Sequence, residues 1–185
     1  MKPLHRVPQP SSSRRWRASA VLLSLSIIVA GCGEASTNPS QAVGIDSPIA
    51  NLAFIHPDGS EGQLADHYGQ PLVVNFFAGW CPPCKAELPD INAVHLAAGD
   101  DVKVLGISHD LSEDDWQELV SETNIDFETV FQPDREIFIE LRLFGMPSTI
   151  LINPEGEVVH THSGILNAET LRSMISEYLD VEVSA

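Results

Sequence analysis

Residues 72 to 84 read Leu72-Val73-Val74-Asn75-Phe76-Phe77-Ala78-Gly79-Trp80-Cys81-Pro82-Pro83-Cys84. The first seven are a nearly continuous apolar run rich in β-formers, the pattern of a central strand buried on both faces. Pro82 and Pro83 then suit the opening of a helix, where the N–H groups they lack would be unpaired anyway. Leu88, Ile91, Val94 and Ala98 continue at helical spacing, and Val102-Lys103-Val104-Leu105-Gly106-Ile107 repeats the buried-strand pattern. A strand, a crossover helix and a second strand make the basic unit of an α/β fold.

Further out, Ser112 can cap a second helix, with Asp115 answering from the third position and Trp116, Leu119 and Val120 as its core stripe. The acids Glu113, Asp114 and Asp115 suit a helix start, where negative charge is favourable. Ile137, Leu141 and Phe144 mark a short helical segment. Ser148 to Ile152 and Glu157 to His160 are strands joined by the turn Asn153-Pro154-Glu155-Gly156, so they form an antiparallel hairpin. Leu171, Met174, Ile175, Tyr178 and Leu179 give a closing amphipathic helix capped by Asn167. The expected architecture is α/β, a central mixed β-sheet flanked by helices.

The N-terminal side has a different character. Residues 1–31 hold Lys2, Arg6, Arg14, Arg15 and Arg17, no acid, and a short apolar run ending in Val29-Ala30-Gly31-Cys32. A basic stretch before a short apolar one reads as an export signal, and the run from Ala18 to Gly31 is shorter than the roughly 20 residues of a spanning helix. Its end resembles the lipobox of bacterial lipoproteins, which implies removal of residues 1–31 and a lipid on Cys32. Gly33 to Pro48 has no apolar periodicity and reads as a flexible tether reaching on the order of 20 Å. The expected organisation is thus a signal over 1–31, a lipidated cysteine and linker over 32–48, and one domain over 49–185.

The whole chain of 185 residues has 10 Lys plus Arg against 26 Asp plus Glu, and the signal removes half of the bases and none of the acids. So acidic a domain does not suit a broad nucleic-acid contact, which needs clustered cations. With 43% hydrophobic residues it can bury a core, and three cysteines are too few for a disulfide-dense scaffold.

Cys81 and Cys84 lie two residues apart at a helix start, close enough to form a disulfide. The first sulfur would sit near the unpaired N–H groups and the positive end of the helix dipole, which lowers a thiol pKa from about 8.5 into a range of roughly 3.5 to 7.5. Cys81 is therefore the expected nucleophile, and Cys84, one turn deeper, the thiol that resolves the mixed disulfide. A structural zinc site needs four ligands, and no second cysteine pair supplies them. His160 and His162 share a strand face but lie far along the chain, so no metal is expected. His56, His67, His95 and His109 have no spacing that demands chemistry and are expected at the surface or in turns.

Three further pieces complete a pattern: Glu87 and Pro89 after the cysteines, and Gly145-Met146-Pro147-Ser148-Thr149 near the hairpin. With Asn75 to Cys84 they make residues 49–180 resemble the thioredoxin superfamily, in its membrane-tethered extracytoplasmic branch of TlpA/ResA-like thiol-disulfide oxidoreductases. The resemblance implies a thioredoxin-like fold and no cofactor. It implies that Pro147 is a cis-proline facing the disulfide and that the Met146 backbone pairs with an extended substrate segment. Trp80, Pro82 and Pro83 would support the active site, with Trp80 packed beside the nucleophile. Asn75 stands where cytoplasmic thioredoxins carry a buried Asp, which removes the usual proton acceptor, and Glu87 of the CxxCxxE pattern is the candidate replacement. Pro89 would kink the helix.

The implied function is reduction of disulfides in exported proteins, such as apo-cytochrome c, by a monomer on the outer face of a bacterial membrane. Its partners would be protein thiols and disulfides and a membrane electron donor. Two other readings fit the two cysteines. One is a peroxiredoxin-like peroxidase, against which stands the Trp directly before Cys81. The other is a copper-binding or delivery module using the two sulfurs.

Overall fold

A computed structural model of the chain describes residues 49–184. The expected signal, the lipidation site Cys32 and the tether to Pro48 lie outside the described residues. Those described hold strands β1 (Ala53–Ile55), β2 (Glu61–Gln63), β3 (Leu72–Phe77), β4 (Lys103–Ser108), β5 (Glu128–Phe131), β6 (Ser148–Ile152) and β7 (Val158–Ser163). The helices are α1 (Pro82–Ala98), α2 (Glu113–Thr123), α3 (Glu136–Glu140) and α4 (Ala168–Leu179).

The strands form one mixed sheet in the order β2-β1-β5-β4-β3-β6-β7. Its centre is parallel: β3 pairs with β4 and β4 with β5, while β6 runs antiparallel to β3 and forms the hairpin with β7. All six residues of β3 are buried, because successive side chains point to opposite faces and both faces are covered. Val73 and Phe77 join a cluster with Leu88, Ile91 and Val94 of α1, Trp116 and Leu119 of α2, and Leu171 and Ile175 of α4. Leu72, Val74 and Phe76 join a second cluster with Leu105, Ile107, Ile137 and Ile150. Gly106 leaves room for the Phe77 ring on this face of the sheet, since a Cβ there would meet that ring at 2.7 Å.

The helix ends follow the local chemistry. Ser112 accepts from the Asp115 N–H at 3.2 Å, and Asn167 from the Thr170 N–H at 2.8 Å, so each satisfies a donor that its helix leaves free. The segment of Ile137, Leu141 and Phe144 is shorter than its spacing predicts. Helix α3 ends at Glu140, Ile137 alone of the three is fully buried, and Phe144 stands 96% exposed in the loop beyond. Sequence reading does not find β5, whose four residues include Glu128, nor the hairpin of β1 and β2, three residues each.

Candidate active site

Strand β3 delivers the chain to Ala78, and the Cys81 N–H donates to the Ala78 carbonyl at 3.1 Å, closing the turn that starts α1. Cys81 is the N-cap, Pro82 and Pro83 open the helix, and the Cys84 N–H points at Cys81 Sγ at 3.3 Å. A helix N-terminus thus presents its first free donor to this sulfur. Cys81 and Cys84 are joined as a disulfide with their Cα atoms 5.3 Å apart. Cys84 is fully enclosed and Cys81 retains a small exposed edge.

Strand pairing brings the second element alongside. Phe76 of β3 pairs with Ser148 of β6, so Pro147, just before β6, lies at the same end of the sheet as the turn into α1. The Met146–Pro147 bond is cis, and the Ser148 hydroxyl donates to the Gly145 carbonyl at 2.6 Å. Met146 packs against the cluster that holds both cysteines. Trp80 is not buried beside the disulfide as a core residue: it is 56% exposed, with the Arg135 guanidinium over its ring at 5.8 Å. Ile165 and Phe144 are likewise exposed.

A polar node sits within the apolar core. Glu87 is wholly buried on α1, three residues beyond Cys84 and therefore on the same helix face. Its Oε1 accepts from Asn75 Nδ2 at 2.8 Å and its Oε2 from the Leu166 N–H at 2.8 Å. Asn75 also donates to Thr149 Oγ1 at 3.1 Å, across the β3–β6 register that sets these two residues opposite each other. Burial pushes the Glu87 carboxyl up to about 7, against the pull of the Leu166 and Asn75 bonds. A carboxyl poised there can take or give a proton near neutral pH.

The histidines separate from expectation. His67 and His109 are buried rather than at the surface; His109 packs against Phe76 and Phe138 with ring centroids 5.5 and 5.1 Å away. His160 stacks on Tyr178 at 4.1 Å. Among the described residues no three His, Cys, Asp or Glu side chains are grouped to hold a metal. One site residue had no signal in the sequence. Asp110, buried just beyond β4, holds the Gly79 N–H with both carboxylate oxygens, at 2.9 and 3.0 Å.

The AhpC/TSA family profile matches residues 45–161. The chain belongs to the AhpC/TSA family. Within it the chain is similar to the thiol-disulfide oxidoreductase ResA of Bacillus subtilis, 28% identical over 139 residues that cover 75% of this chain and 74% of ResA. It is also similar to the thiol:disulfide interchange protein DsbE of Yersinia pestis, 32% identical over 69% of this chain and 68% of DsbE. Among solved structures, the exposed lipoprotein thioredoxin of Streptococcus pneumoniae superposes with a TM-score of 0.62 at 25% identity, over 69% of this chain and 99% of its own. This AhpC/TSA member has the thioredoxin-like fold and is a thiol-disulfide oxidoreductase.

Proposed function

We propose that the chain reduces disulfides of exported proteins with Cys81 as the attacking thiol. The observation that carries this reading is the Cys81–Cys84 pair at the N-terminus of α1, with the Cys84 N–H aimed at Cys81 Sγ. In the reduced protein the Cys81 thiolate attacks one sulfur of the substrate disulfide; that S–S bond breaks, and the other substrate sulfur leaves as a thiolate that takes up a proton. Cys84 then gives its proton to the Glu87 carboxylate and attacks Cys81 Sγ. The mixed disulfide breaks, the second substrate thiol leaves, and Cys81–Cys84 is oxidised. Two electrons have passed to the substrate, and a thiol donor at the membrane returns them.

The cis Met146–Pro147 loop beside this end of the sheet supports docking of an extended substrate segment along the Met146 backbone. Trp80, Pro82 and Pro83 shape the rim of the site, and Asn75 holds Glu87. The exposed-lipoprotein name of the Streptococcus pneumoniae neighbour and the basic, then apolar, sequence ending at Cys32 support work outside the cytoplasm by a chain tethered through a lipid on Cys32. The reading is completed by a monomer acting on an exported protein such as apo-cytochrome c. The test is insulin disulfide reduction with a supplied dithiol donor, run beside peroxide consumption. Wild type should reduce insulin and Cys81→Ser should not; insulin reduction by Cys81→Ser would overturn the reading, and peroxide consumption exceeding disulfide reduction would replace it with a peroxidase.

A further inference from the structure

Asp110 is a costly residue to bury, and the thiol exchange between Cys81, Cys84 and Glu87 does not use it. Its side chain is 1% exposed, and the hydrogen bonds that hold it all come from neutral donors. Ser108 Oγ donates to Oδ2 at 2.9 Å while accepting from the Asp110 N–H at 3.1 Å, which fixes the carboxylate's direction. The preceding residue is fixed too, since the His109 N–H donates to the Phe77 carbonyl at 2.9 Å. Both Asp110 oxygens then converge on one backbone donor, Gly79 N–H, two residues before Cys81. A charged acceptor holds a backbone N–H more strongly than a neutral one does.

The place of that bond matters. The turn from Ala78 to Cys81 borders a cavity of about 290 Å³ lined by Gly79, Trp80, Lys85, Asp110, Asp115 and Glu118. At that edge Gly79 lies close against Asp110 and the backbone of α2, since a Cβ on Gly79 would meet Asp110 Oδ1 and the Asp115 carbonyl oxygen at 3.4 Å each. We propose that Asp110 is a positioning residue for the nucleophile: by holding the Gly79 N–H it sets the turn that delivers Cys81 Sγ to the N-terminus of α1. The inference rests on Cys81 being the attacking thiol. Its test reads the reactivity of that thiol directly, so it can fail while substrate reduction stands.

The experiment measures alkylation of Cys81 by iodoacetamide against pH in the reduced full chain, with peptide mapping to separate Cys81 from Cys32 and Cys84. Wild type is compared with Asp110→Ala and Asp110→Asn. Removing a negative charge near a thiol by itself favours the thiolate and moves the alkylation midpoint down. Loss of the turn removes the N–H and dipole support from Cys81 Sγ and moves the midpoint up. The expected result is a rise of about one pH unit in Asp110→Ala, or about tenfold less thiolate at low pH, and rescue in Asp110→Asn, which still offers one oxygen to Gly79. An unchanged or lowered midpoint in Asp110→Ala, or no rescue by Asn, overturns the proposal. If Asp110→Ala does not fold, amide exchange at Gly79 in the intact chain decides. Protection of at least about a hundredfold is expected of a held N–H, and exchange at the rate of an exposed amide overturns the proposal.

Discussion

Glu87 and His109 are both wholly buried and both ionisable, yet they are displaced in opposite directions and held in opposite ways. Glu87, pushed up to about 7, has each of its oxygens in a hydrogen bond. His109 is pushed down to about 4, first by burial and then by the Arg135 charge, and neither ring nitrogen has a hydrogen-bond partner among the described residues. They also sit on different faces of β3: the partner of Glu87 is Asn75, whereas His109 packs on Phe76, and successive strand residues point apart. Burial alone moves both groups toward neutrality. What makes Glu87 a candidate proton carrier is that it shares a helix face with Cys84 and titrates near neutral pH. His109 stays uncharged through that range and serves as packing.

Stability against pH should differ in sign between the two groups. The folded-state pKa of Glu87 lies above its unfolded value of about 4.5, so its stabilising effect is complete below that pH and is lost as pH rises to about 7. His109 has the reverse sign: its folded value lies below the unfolded 6.5, so stability is lost as pH falls from 6.5 toward about 4. Relative to Glu87→Gln, wild type should lose stability on the order of 3 kcal/mol between pH 4.5 and 7 in urea titrations. Relative to His109→Phe, it should lose a similar amount between pH 6.5 and 4. Parallel curves for either pair would remove the corresponding half of the comparison.

Kinetics should distinguish the two groups by a smaller margin. Glu87→Gln should slow resolution of the mixed disulfide at neutral pH by at least about tenfold and flatten its pH profile, as loss of a proton acceptor does. His109→Phe should leave the profile's shape alone. A pH profile unmoved by Glu87→Gln would make Glu87 a buried structural group like His109. The smallest effect expected is that of Asn75→Ala, which leaves Glu87 Oε1 without its donor. It should cost about 1 kcal/mol in denaturant unfolding, most at a pH where Glu87 is ionised, and a pH-independent loss would detach Asn75 from the carboxylate.

How far the sequence could be read follows the range of the interactions involved. The βαβ unit around β3, α1 and β4 was legible because burial on both faces leaves a continuous apolar run, and Ser112 and Asn167 because a cap bonds two or three residues away. Strand β5 was not: four residues starting at Glu128 carry too little periodicity, and their partner β4 begins 25 residues earlier. Phe144 reads as helix from its spacing with Ile137 and Leu141, but the loop leading to Pro147 takes it out into solvent. Glu87 was legible as a candidate through its CxxCxxE resemblance, while its burial depends on Asn75 and on the Leu166 N–H, 79 residues away. Asp110 gave no signal because its partner is a backbone N–H, which has no letter in the sequence.

If Cys81 attacks and Cys84 resolves, the mixed disulfide with substrate can be trapped on one sulfur and not on the other. Reduced Cys84→Ser and Cys81→Ser proteins are mixed with a disulfide-containing peptide, and the adducts are mapped by mass spectrometry. A stable mixed disulfide is expected on Cys81 in Cys84→Ser, with little adduct on Cys84 in Cys81→Ser, because Cys84 is enclosed in the core. Equal trapping on Cys84 in the Cys81→Ser protein would contradict these roles.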